Sequence, residues 1–439
     1  MNVYRIVFNM LMKMEKNAYS NIALSSAFND SELSSQEKRT ASRIFYGVIE
    51  RKLTLDNIIS KYSKKPVNSL DIEVLTVLRM GLYELKFMDS IPDNAAVNES
   101  VKLIKGAGKT SASGFVNAVL RNFIRDGKEI TYPKDKVKRV SAECSCPEWL
   151  VKKLLDEYDE ESILSLISLS DEPPVTSIRV NTLLTDAEKL MKILSDENIE
   201  AEKSDLIPEC LYIKHSGAIE NTNAYKSGLF HVQDISSQLC AMAVSAEPGD
   251  TVLDMCSAPG GKTFTIAEMM QNKGKVYAYE LHEKRAALVA KGAERLGISI
   301  ISANANDAAV YNGNIPLADK VLCDVPCAGF GVIRKKPEIK YKKYEDIKRL
   351  PEIQLSILET SSKYVRDDGT LVYSTCSVSR EENDAVVDEF LRKNRDFEEV
   401  PFLKNIGNPF GSGRVTVFPK DFGSDGFFIC KFIKKGMKS

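Results

Sequence analysis

Two cysteines, Cys327 and Cys376, each follow a predicted buried strand in surroundings that suggest covalent chemistry. Cys327 closes an Asp-Val-Pro-Cys run that begins at Asp324, and Cys376 lies within a Ser-Thr-Cys-Ser run. A thiolate can add to an electron-poor pyrimidine ring, while a second thiol and a carboxylate can manage the protons. One buried cysteine is usually inert packing. Two at neighbouring strand ends, one of them beside an aspartate and a proline, favour a catalytic pair.

A third stretch has the pattern of a strand, a tight glycine turn and the start of a helix. After a strand predicted at 251–254 come Cys256, Ser257, Ala258, Pro259, Gly260, Gly261 and Lys262. The paired glycines let the backbone pass close to a ligand, and a helix N-terminus is electropositive. The turn therefore suits an adenosyl or phosphate-bearing cofactor. A P-loop would need glycine where Cys256 stands, the dinucleotide fingerprint G-x-G-x-x-G is absent, and a turn without a ligand is the remaining alternative.

Two more carboxylates follow predicted strands. Glu280 follows a strand predicted at 276–279, and Asp307 follows one predicted at 298–302. Glu280 is placed to accept bonds from ribose hydroxyls, and Asp307 to bond an adenine amino group. The alternatives are a helix cap or solvated charge for Glu280 and a loop or capping role for Asp307. Because ligands of open α/β sheets bind beyond the carboxyl ends of the strands, these side chains predict one shared crevice.

The elements that must position these residues alternate between strands and helices. Besides the three strands already mentioned, apolar runs predict strands at 320–323, 370–373 and 426–432. Such alternation is typical of a doubly wound, mostly parallel sheet. We therefore predict a Rossmann-like α/β domain over residues 236–439.

The first half of the chain has other patterns. Residues 1–135 show apolar side chains at helical spacing and no evident strand, which predicts an all-α bundle. A lysine-rich stretch, 134–139, followed by Cys146-Pro147, suggests a linker. Residues 141–235 mix helices with strands predicted at 175–180 and 210–213, and Pro173-Pro174 interrupts the helical pattern. This stretch is predicted to be a small α+β subdomain.

Composition bounds the class of protein. With 439 residues, 43% hydrophobic and 28% charged, the chain is an ordinary globular protein of two or three domains. No apolar run approaches the length of a membrane span, and no signal peptide is evident, so we expect a cytoplasmic location. Nine scattered cysteines do not form a disulfide framework. The three histidines, His215, His231 and His282, lack metal-ligand spacing, so no metal site is expected.

Charge is spread unevenly along the chain. The net charge is −1, but residues 1–140 hold 23 Lys and Arg against 15 Asp and Glu. A basic N-terminal third on an acidic body suggests a module that binds a polyanion such as nucleic acid. An ordinary lysine-rich solvated face is the alternative.

Several of these motifs together carry a resemblance to a known family. The stretches 233–238, 254–263, 324–327, 334–338, 374–377 and 425–428 resemble the Nop/Sun family of RNA cytosine carbon-5 methyltransferases. Residues 92–99 and 114–121 resemble the NusB-type helical RNA-binding domain. The departures are mild: Glu280 stands for the usual Asp, Ser257 for a usual Ala, and Asn306 for a usual Gly.

The resemblance implies an S-adenosyl-L-methionine-dependent enzyme with Cys376 as nucleophile, Cys327 assisting release and Asp324 contacting the base. The implied cofactor-binding set is Cys256, Ser257, Ala258, Pro259, Gly260, Gly261, Lys262, Glu280, Asp307 and Asp324. The implied target is cytosine 967 of 16S rRNA, in free small-subunit rRNA or in a partial ribosomal particle, and the enzyme is expected to be a monomer without metal or membrane partner. The alternatives are tRNA, large-subunit rRNA or DNA as substrate, or a non-catalytic RNA-binding assembly factor.

Overall fold

The computed structural model describes residues 3–15, 24, 27–28, 33–170, 175–214, 219–406 and 411–436. The chain forms two compact units: Met1–Asp171 with Lys336–Lys342, and Glu172–Lys335 with Lys343–Ser439. The predicted break at Pro173-Pro174 and the residue His215 lie outside the described residues. The division at 1–135, 141–235 and 236–439 stays a prediction.

The first unit, called here the helical unit, is all-helical in its described residues. Its helices are α1 (Val3–Met14), α2 (Ser35–Glu50), α3 (Lys52–Tyr62), α4 (Ile72–Phe87), α5 (Asp93–Gly106), α6 (Ser113–Arg125), α7 (Lys136–Cys144), α8 (Glu148–Glu157) and α9 (Glu160–Ile167). Local chemistry fixes several ends; at α2, Ser34 and Glu37 form a reciprocal capping box. On α6 the buried residues are Val116, Val119, Leu120 and Phe123, at the predicted helical spacing. The predicted all-α bundle is confirmed.

The predicted linker at 134–139 is wrong, because α7 begins there. The Asp135 carboxylate accepts the Lys138 backbone N–H at 3.0 Å, which caps the helix. Val140, Ala142 and Cys144 are buried. The sequence pattern did not indicate this helix, because its apolar face is short and lysines lie among the apolar residues.

A short segment from late in the chain belongs to the helical unit. Residues Pro337–Tyr341 form a 3₁₀ turn. The Lys340 Nζ donates to the carbonyl oxygens of Glu50 at 2.8 Å and Cys144 at 3.2 Å, and the Tyr341 hydroxyl donates to the Ile49 carbonyl at 2.9 Å. Since 290 residues separate Lys340 from Glu50, nothing in the sequence pattern indicated this contact.

The second unit, called here the sheet unit, contains two sheets. The smaller has β1 (Thr176–Val180), β2 (Glu200–Lys203), β3 (Cys210–Lys214) and β4 (Phe230–Val232) in the antiparallel order β2-β3-β1-β4. Helices α10 (Ala187–Asp196) and α11 (Asn223–Lys226) accompany it. The predicted α+β character is confirmed, although the sequence indicated only β1 and β3 of its strands.

The larger sheet is the predicted Rossmann-like one. Its strands are β5 (Thr251–Asp254), β6 (Lys275–Glu280), β7 (Ile301–Ala305), β8 (Ala318–Asp324), β9 (Val365–Thr375), β10 (Phe397–Glu399), β11 (Arg414–Val417) and β12 (Phe427–Lys434). The order is β10-β12-β9-β8-β5-β6-β7, with β11 paired to β12. The strands from β9 to β7 are parallel, whereas β10, β11 and β12 pair antiparallel. The fold class is confirmed. The strand predicted at 298–302 begins at Ile301, because the Ser299 and Ile300 N–H groups donate to the Asn272 side-chain oxygen, at 3.0 and 3.3 Å, instead of to a neighbouring strand.

Helices connect these strands. They are α12 (Ile235–Ala243), α13 (Gly261–Met269), α14 (Glu283–Arg295), α15 (Tyr344–Ile347), α16 (Leu350–Ser362), α17 (Asp384–Lys393) and α18 (Pro419–Phe422). The chain order reverses between β5 and β8, which are neighbours in the sheet. At such a switch point the loops beyond the strand ends diverge and leave a crevice for a ligand. Within the described residues, no helix is both long and apolar enough to cross a membrane.

Candidate active site

A cavity of about 270 Å³ lies at the switch point beyond β5 and β8. Asp254 ends β5 and Asp324 ends β8, and both line it. From the predicted set the wall also includes Cys256, Ser257, Ala258, Pro259, Gly261, Lys262 and Cys376. The remaining predicted residues, Gly260, Glu280, Asp307 and Cys327, are not part of this wall as described.

The turn between β5 and α13 is shaped by backbone contacts. The Ser257 N–H and hydroxyl both donate to the Tyr279 carbonyl of β6, at 2.8 and 3.0 Å. Gly260 has φ of 112°, and a Cβ there would lie 2.3 Å from the Phe264 ring. Only glycine fits both the conformation and the space. The turn therefore brings backbone N–H groups and the start of α13 to the cavity.

Asp254 is a buried carboxyl in this wall. Its Oδ2 accepts the Thr263 hydroxyl at 2.7 Å, and its Oδ1 accepts the Cys256 N–H at 3.4 Å. Burial raises the pKa of Asp254 to about 7, although the bond from Thr263 opposes that rise. A carboxyl of this kind changes charge near neutral pH, so a cationic ligand would favour its ionised form.

Lys262 and Asp324 form an ion pair inside the cavity. The Lys262 Nζ lies 2.7 Å from Asp324 Oδ2, and the Ser374 hydroxyl donates to Asp324 Oδ1 at 2.8 Å. Burial alone would lower the pKa of Lys262, but the Asp324 carboxylate raises it overall. The same Nζ lies 4.9 Å from the centre of the Phe427 ring. The Lys262–Asp324 pair therefore presents one positive and one negative charge to a ligand in the cavity.

The two cysteines meet at the ends of neighbouring strands. In the β8–β9 ladder Asp324 lies opposite Ser374, which brings the following residues Cys327 and Cys376 together. Their sulfurs are 3.1 Å apart, within hydrogen-bonding distance. The hydrogen bond to Cys376 and burial hold the pKa of the Cys327 thiol well above its usual value. A raised pKa favours the protonated form of the Cys327 thiol.

Glu280 and Asp307 lie beyond the same edge of the sheet but are already engaged. Glu280 Oε1 accepts the Leu281 N–H at 3.1 Å and the Arg285 guanidinium at 2.9 Å. Asp307 Oδ1 accepts the Ala309 N–H at 3.0 Å, as in an Asx turn. The alternative reading of Asp307 as a loop residue therefore has a contact in its favour, and the two assignments to a cofactor stay predictions.

Sequence reasoning missed several residues of the cavity wall, including Gln233, Asp234, Asp425 and Phe427. The Lys335 Nζ bridges the carboxylates of Asp234 at 2.6 Å and Asp425 at 2.8 Å. Burial raises the pKa of Asp425 to about 6. All these residues stand inside motifs that carried the family resemblance, so a signal existed, but no role was assigned to them.

No metal centre emerges from the described residues. Among them, no group of three or more His, Cys, Asp or Glu side chains is placed to hold a metal ion.

Sequence profiles of known families match three parts of the chain. Residues 241–433 match the 16S rRNA methyltransferase RsmB/F family, residues 1–125 match the NusB family, and residues 146–220 match the ferredoxin-like domain of RsmF/B-like methyltransferases. The three matches follow the order in which the helical, α+β and Rossmann-like patterns were predicted.

Whole-chain relatives are similar over almost their full length. The probable ribosomal RNA small subunit methyltransferase B of Bacillus subtilis is 40% identical over 99% of both chains. The protein with the same description from Synechocystis sp. is 31% identical over 95% of this chain and 96% of the relative. Ribosomal RNA small subunit methyltransferase B of Escherichia coli is 29% identical over 92% of both chains.

Solved structures agree with these sequence matches. The crystal structure of PH0851 superposes with a TM-score of 0.81 at 26% identity over 99% of both chains. NSun6 from Pyrococcus horikoshii, solved with SFG, gives a TM-score of 0.57 at 22% identity over 69% of this chain and 98% of that one. The similarity to NSun6, at 22% identity, supports the fold alone.

Proposed function

Because this chain belongs to the family of ribosomal RNA small subunit methyltransferase B, and is thus an S-adenosylmethionine-dependent RNA methyltransferase, we propose that it methylates carbon 5 of a cytosine in small-subunit rRNA through a covalent adduct with Cys376. The observation that carries this proposal is the approach of the two thiols to 3.1 Å beside the Lys262–Asp324 ion pair. We take cytosine 967 of 16S rRNA as the target, in free rRNA or a partial particle, and a monomeric enzyme.

The residues around the glycine turn fit the cofactor S-adenosyl-L-methionine. They offer the N-terminus of α13, the buried Asp254 carboxyl and a cavity of about 270 Å³ next to a turn in which Gly260 cannot be replaced without a clash. We assign Cys256, Ser257, Ala258, Pro259, Gly260, Gly261, Lys262, Glu280, Asp307 and Asp324 to its binding. When bound, S-adenosylmethionine supplies an electrophilic methyl group on a sulfonium. Asp254 stabilises positive charge in this cavity once it is ionised.

Cys376 is the nucleophile in this proposal, because it lines the cavity with Lys262 whereas Cys327 does not. Its thiolate forms a bond to carbon 6 of the cytosine, and the ring electrons displaced by that bond make carbon 5 ready to accept a methyl group. The Lys262–Asp324 pair stabilises charge that develops on the ring nitrogen and exocyclic amine.

Release restores the aromatic ring. The proton on carbon 5 is lost to water, the sulfur–carbon bond breaks, and Cys376 leaves as a thiolate. At a sulfur–sulfur distance of 3.1 Å, the Cys327 thiol can donate its S–H to the departing sulfur. Cys327 therefore assists release without bonding to the base.

The target base must leave its stack to enter such a cavity, which favours a loop or single-stranded region of RNA. The basic residues of 1–140 would supply phosphate contacts that place the RNA. These basic residues would contribute little to recognition of the base sequence.

The test combines purified protein, methyl-labelled S-adenosylmethionine and unmodified small-subunit rRNA, with tRNA and duplex DNA in parallel reactions. We expect label in the rRNA at cytosine 967, no label with Cys376→Ala, and an accumulated protein–RNA adduct on denaturing gels with Cys327→Ala. Cys210→Ala, which removes a buried cysteine of the smaller sheet, is the matched control and should keep activity.

Other outcomes redirect the proposal. Label in tRNA or DNA would change the substrate while keeping the chemistry. An active Cys376→Ala variant would refute the covalent mechanism. Binding of cofactor without label in any nucleic acid would favour an RNA-binding assembly factor.

A further inference from the structure

Glu382 is a buried carboxylate just past the second cysteine, and the mechanism above does not use it. It is 3% exposed. Its Oε2 accepts the Ala328 N–H at 2.7 Å, and its Oε1 accepts the Ser377 hydroxyl at 2.6 Å. Ala328 directly follows Cys327, and Ser377 directly follows Cys376. One side chain therefore ties together the two loops that carry the thiols.

Neighbouring contacts make this connection rigid. The Gln354 amide donates both to Glu382 Oε2 and to the Pro326 carbonyl, each at 2.9 Å. The Tyr373 hydroxyl donates to the Glu382 carbonyl at 2.5 Å. Asn383, the next residue, accepts the Thr375 hydroxyl at 2.7 Å and donates to the Ser377 carbonyl at 3.0 Å. The helix α16, through Gln354, and both loops thus contact this one carboxylate, while β9 bonds the backbone of Glu382 and the side chain of Asn383.

The charge of Glu382 is not cancelled by a nearby cation. Among the described residues no lysine or arginine pairs with it, and its partners are a backbone N–H, a hydroxyl and an amide. Charge acts strongly over short distances in a buried site. The negative charge of Glu382 contributes to the raised pKa of Cys327, after the hydrogen bond to Cys376 and burial.

The nearest positive charge of the cavity wall, the Lys262 ammonium, lines the cavity together with Cys376. Lys262 shares the cavity wall with Cys376, and a Cys376 thiolate would raise the pKa of Lys262 further. A carboxylate near Cys327 and an ammonium near Cys376 polarise the two sulfurs. The arrangement favours a thiol at Cys327 and a thiolate at Cys376.

We propose that Glu382 is the positioning residue that decides which of the two thiols holds the shared proton, so that Cys327 serves as donor and Cys376 as nucleophile. This inference rests on the proposed function for its catalytic meaning. No covalent step is added: the proton resides on Cys327 and its hydrogen bond points to the Cys376 sulfur.

The experiment uses the full-length protein with Glu382→Gln, which keeps the shape and removes the charge. The Ser377 hydroxyl can turn to accept from the new amide, so the fold should persist; circular dichroism checks this. Glu381→Gln, at the exposed neighbouring position, is the matched control. We expect kcat for rRNA methylation to fall about 10- to 100-fold with KM for RNA unchanged, while the control keeps both.

A second measurement separates this inference from the proposed function. In the Cys376→Ala background, the rate of Cys327 alkylation by iodoacetamide is followed against pH by peptide mass spectrometry. Glu382→Gln should move the midpoint of that profile to lower pH by about one unit, and Glu381→Gln should not move it. If Glu382→Gln shifts the midpoint but the wild type methylates no RNA, the proposed function is refuted and the role given to Glu382 is not. An unshifted midpoint, or an unchanged kcat, in folded Glu382→Gln would overturn the role given to Glu382.

Discussion

Lys262 in the sheet unit and Lys340 in the helical unit are both buried, yet their polar partners differ. The Lys262 side chain is 12% exposed and pairs with the Asp324 carboxylate at 2.7 Å. Lys340 is 1% exposed, and its Nζ donates to the carbonyl oxygens of Glu50 and Cys144 and to no carboxylate among the described residues.

The difference sets the charge state of each lysine. A carboxylate raises the pKa of Lys262 despite burial, whereas burial lowers the pKa of Lys340 to about 8. Lys262 therefore stays charged at every physiological pH, as its proposed electrostatic role requires. Lys340 acts as a hydrogen-bond donor that joins the ends of α2 and α7, where the helix dipoles favour a cation. The same residue type thus forms an ion pair in a cavity wall in one unit and supports packing in the other.

Replacing Lys262 gives the largest expected effect. Lys262→Met keeps most of the side-chain volume but leaves Asp324 without its cation, so the charge that develops on the base is no longer balanced. We expect single-turnover methyl transfer to slow at least about 100-fold. Lys284→Met, at an exposed position on α14, is the control and should react like wild type. Transfer within about threefold of wild type by Lys262→Met would mean that the ion pair is structural.

Replacing Lys340 should affect stability rather than chemistry. Lys340→Met removes charged donors from two buried carbonyl oxygens, which costs about 2 kcal/mol of unfolding free energy near neutral pH. Hydrogen exchange of the full-length protein should show faster exchange in α2 and α7, with methyl transfer by the folded protein unchanged. Exposed Lys336→Met is the matched variant. Unchanged hydrogen exchange in α2 and α7 would show that Lys340 does not stabilise the helical unit.

The same variant has a pH dependence with a defined sign. Because the folded pKa of Lys340, about 8, lies below the unfolded value of 10.5, the unfolded chain binds more protons between these two values. Wild-type stability therefore rises with pH through this window, and the variant lacks that rise. Urea unfolding between pH 7 and about 9.5 measures it; parallel curves for wild type and variant would contradict it.

Glu84 in α4 provides the smallest effect and the opposite sign. It is 1% exposed, its Oε1 has no hydrogen-bond partner among the described residues, and burial raises its pKa from 4.5 to about 8. The folded chain then binds more protons than the unfolded one between pH 4.5 and 8, so stability falls as pH rises through that window.

Glu84→Gln cannot ionise at this position, so its stability does not fall as pH rises through that window. We expect the variant to gain about 1–2 kcal/mol over wild type between pH 7 and pH 9, seen as a growing difference in Tm. Glu73→Gln, on the same helix but partly exposed, should show no such trend. A pH-independent difference between Glu84→Gln and wild type would mean that Glu84 is ionised throughout.

The sequence patterns predicted those turns, strands and helices that interactions between neighbouring residues determine. The turn at Gly260, the strand β5 and the helical spacing on α6 follow from backbone freedom and side-chain periodicity, both of which are written in neighbouring residues. The helix α7 was missed because its apolar face is short and its other residues are lysines and polar groups. The strands β2 and β4 were missed because each has only three or four residues and is stabilised by its partners in the sheet.

Some of the candidate site was also accessible from local signals. Asp324, Cys327 and Cys376 were named because strand ends of a parallel sheet share one edge, and the β8–β9 register brings their segments together. Lys335, Asp425 and Phe427 stood in family motifs without a role, since their contacts depend on residues about a hundred positions away.

The sequence by itself determined the fold class and the family, and it predicted the two thiols, Cys327 and Cys376, whose sulfurs the fold brings to 3.1 Å. Tertiary structure decided where the charged groups lie: Lys262 lines the cavity with Cys376, and Glu382 bonds the loops that carry both thiols. It also decided that Lys340 and Tyr341 complete the core of the helical unit. The physical reason is distance along the chain, because electrostatic and hydrogen-bond partners act over a few ångströms in space whatever their separation in sequence.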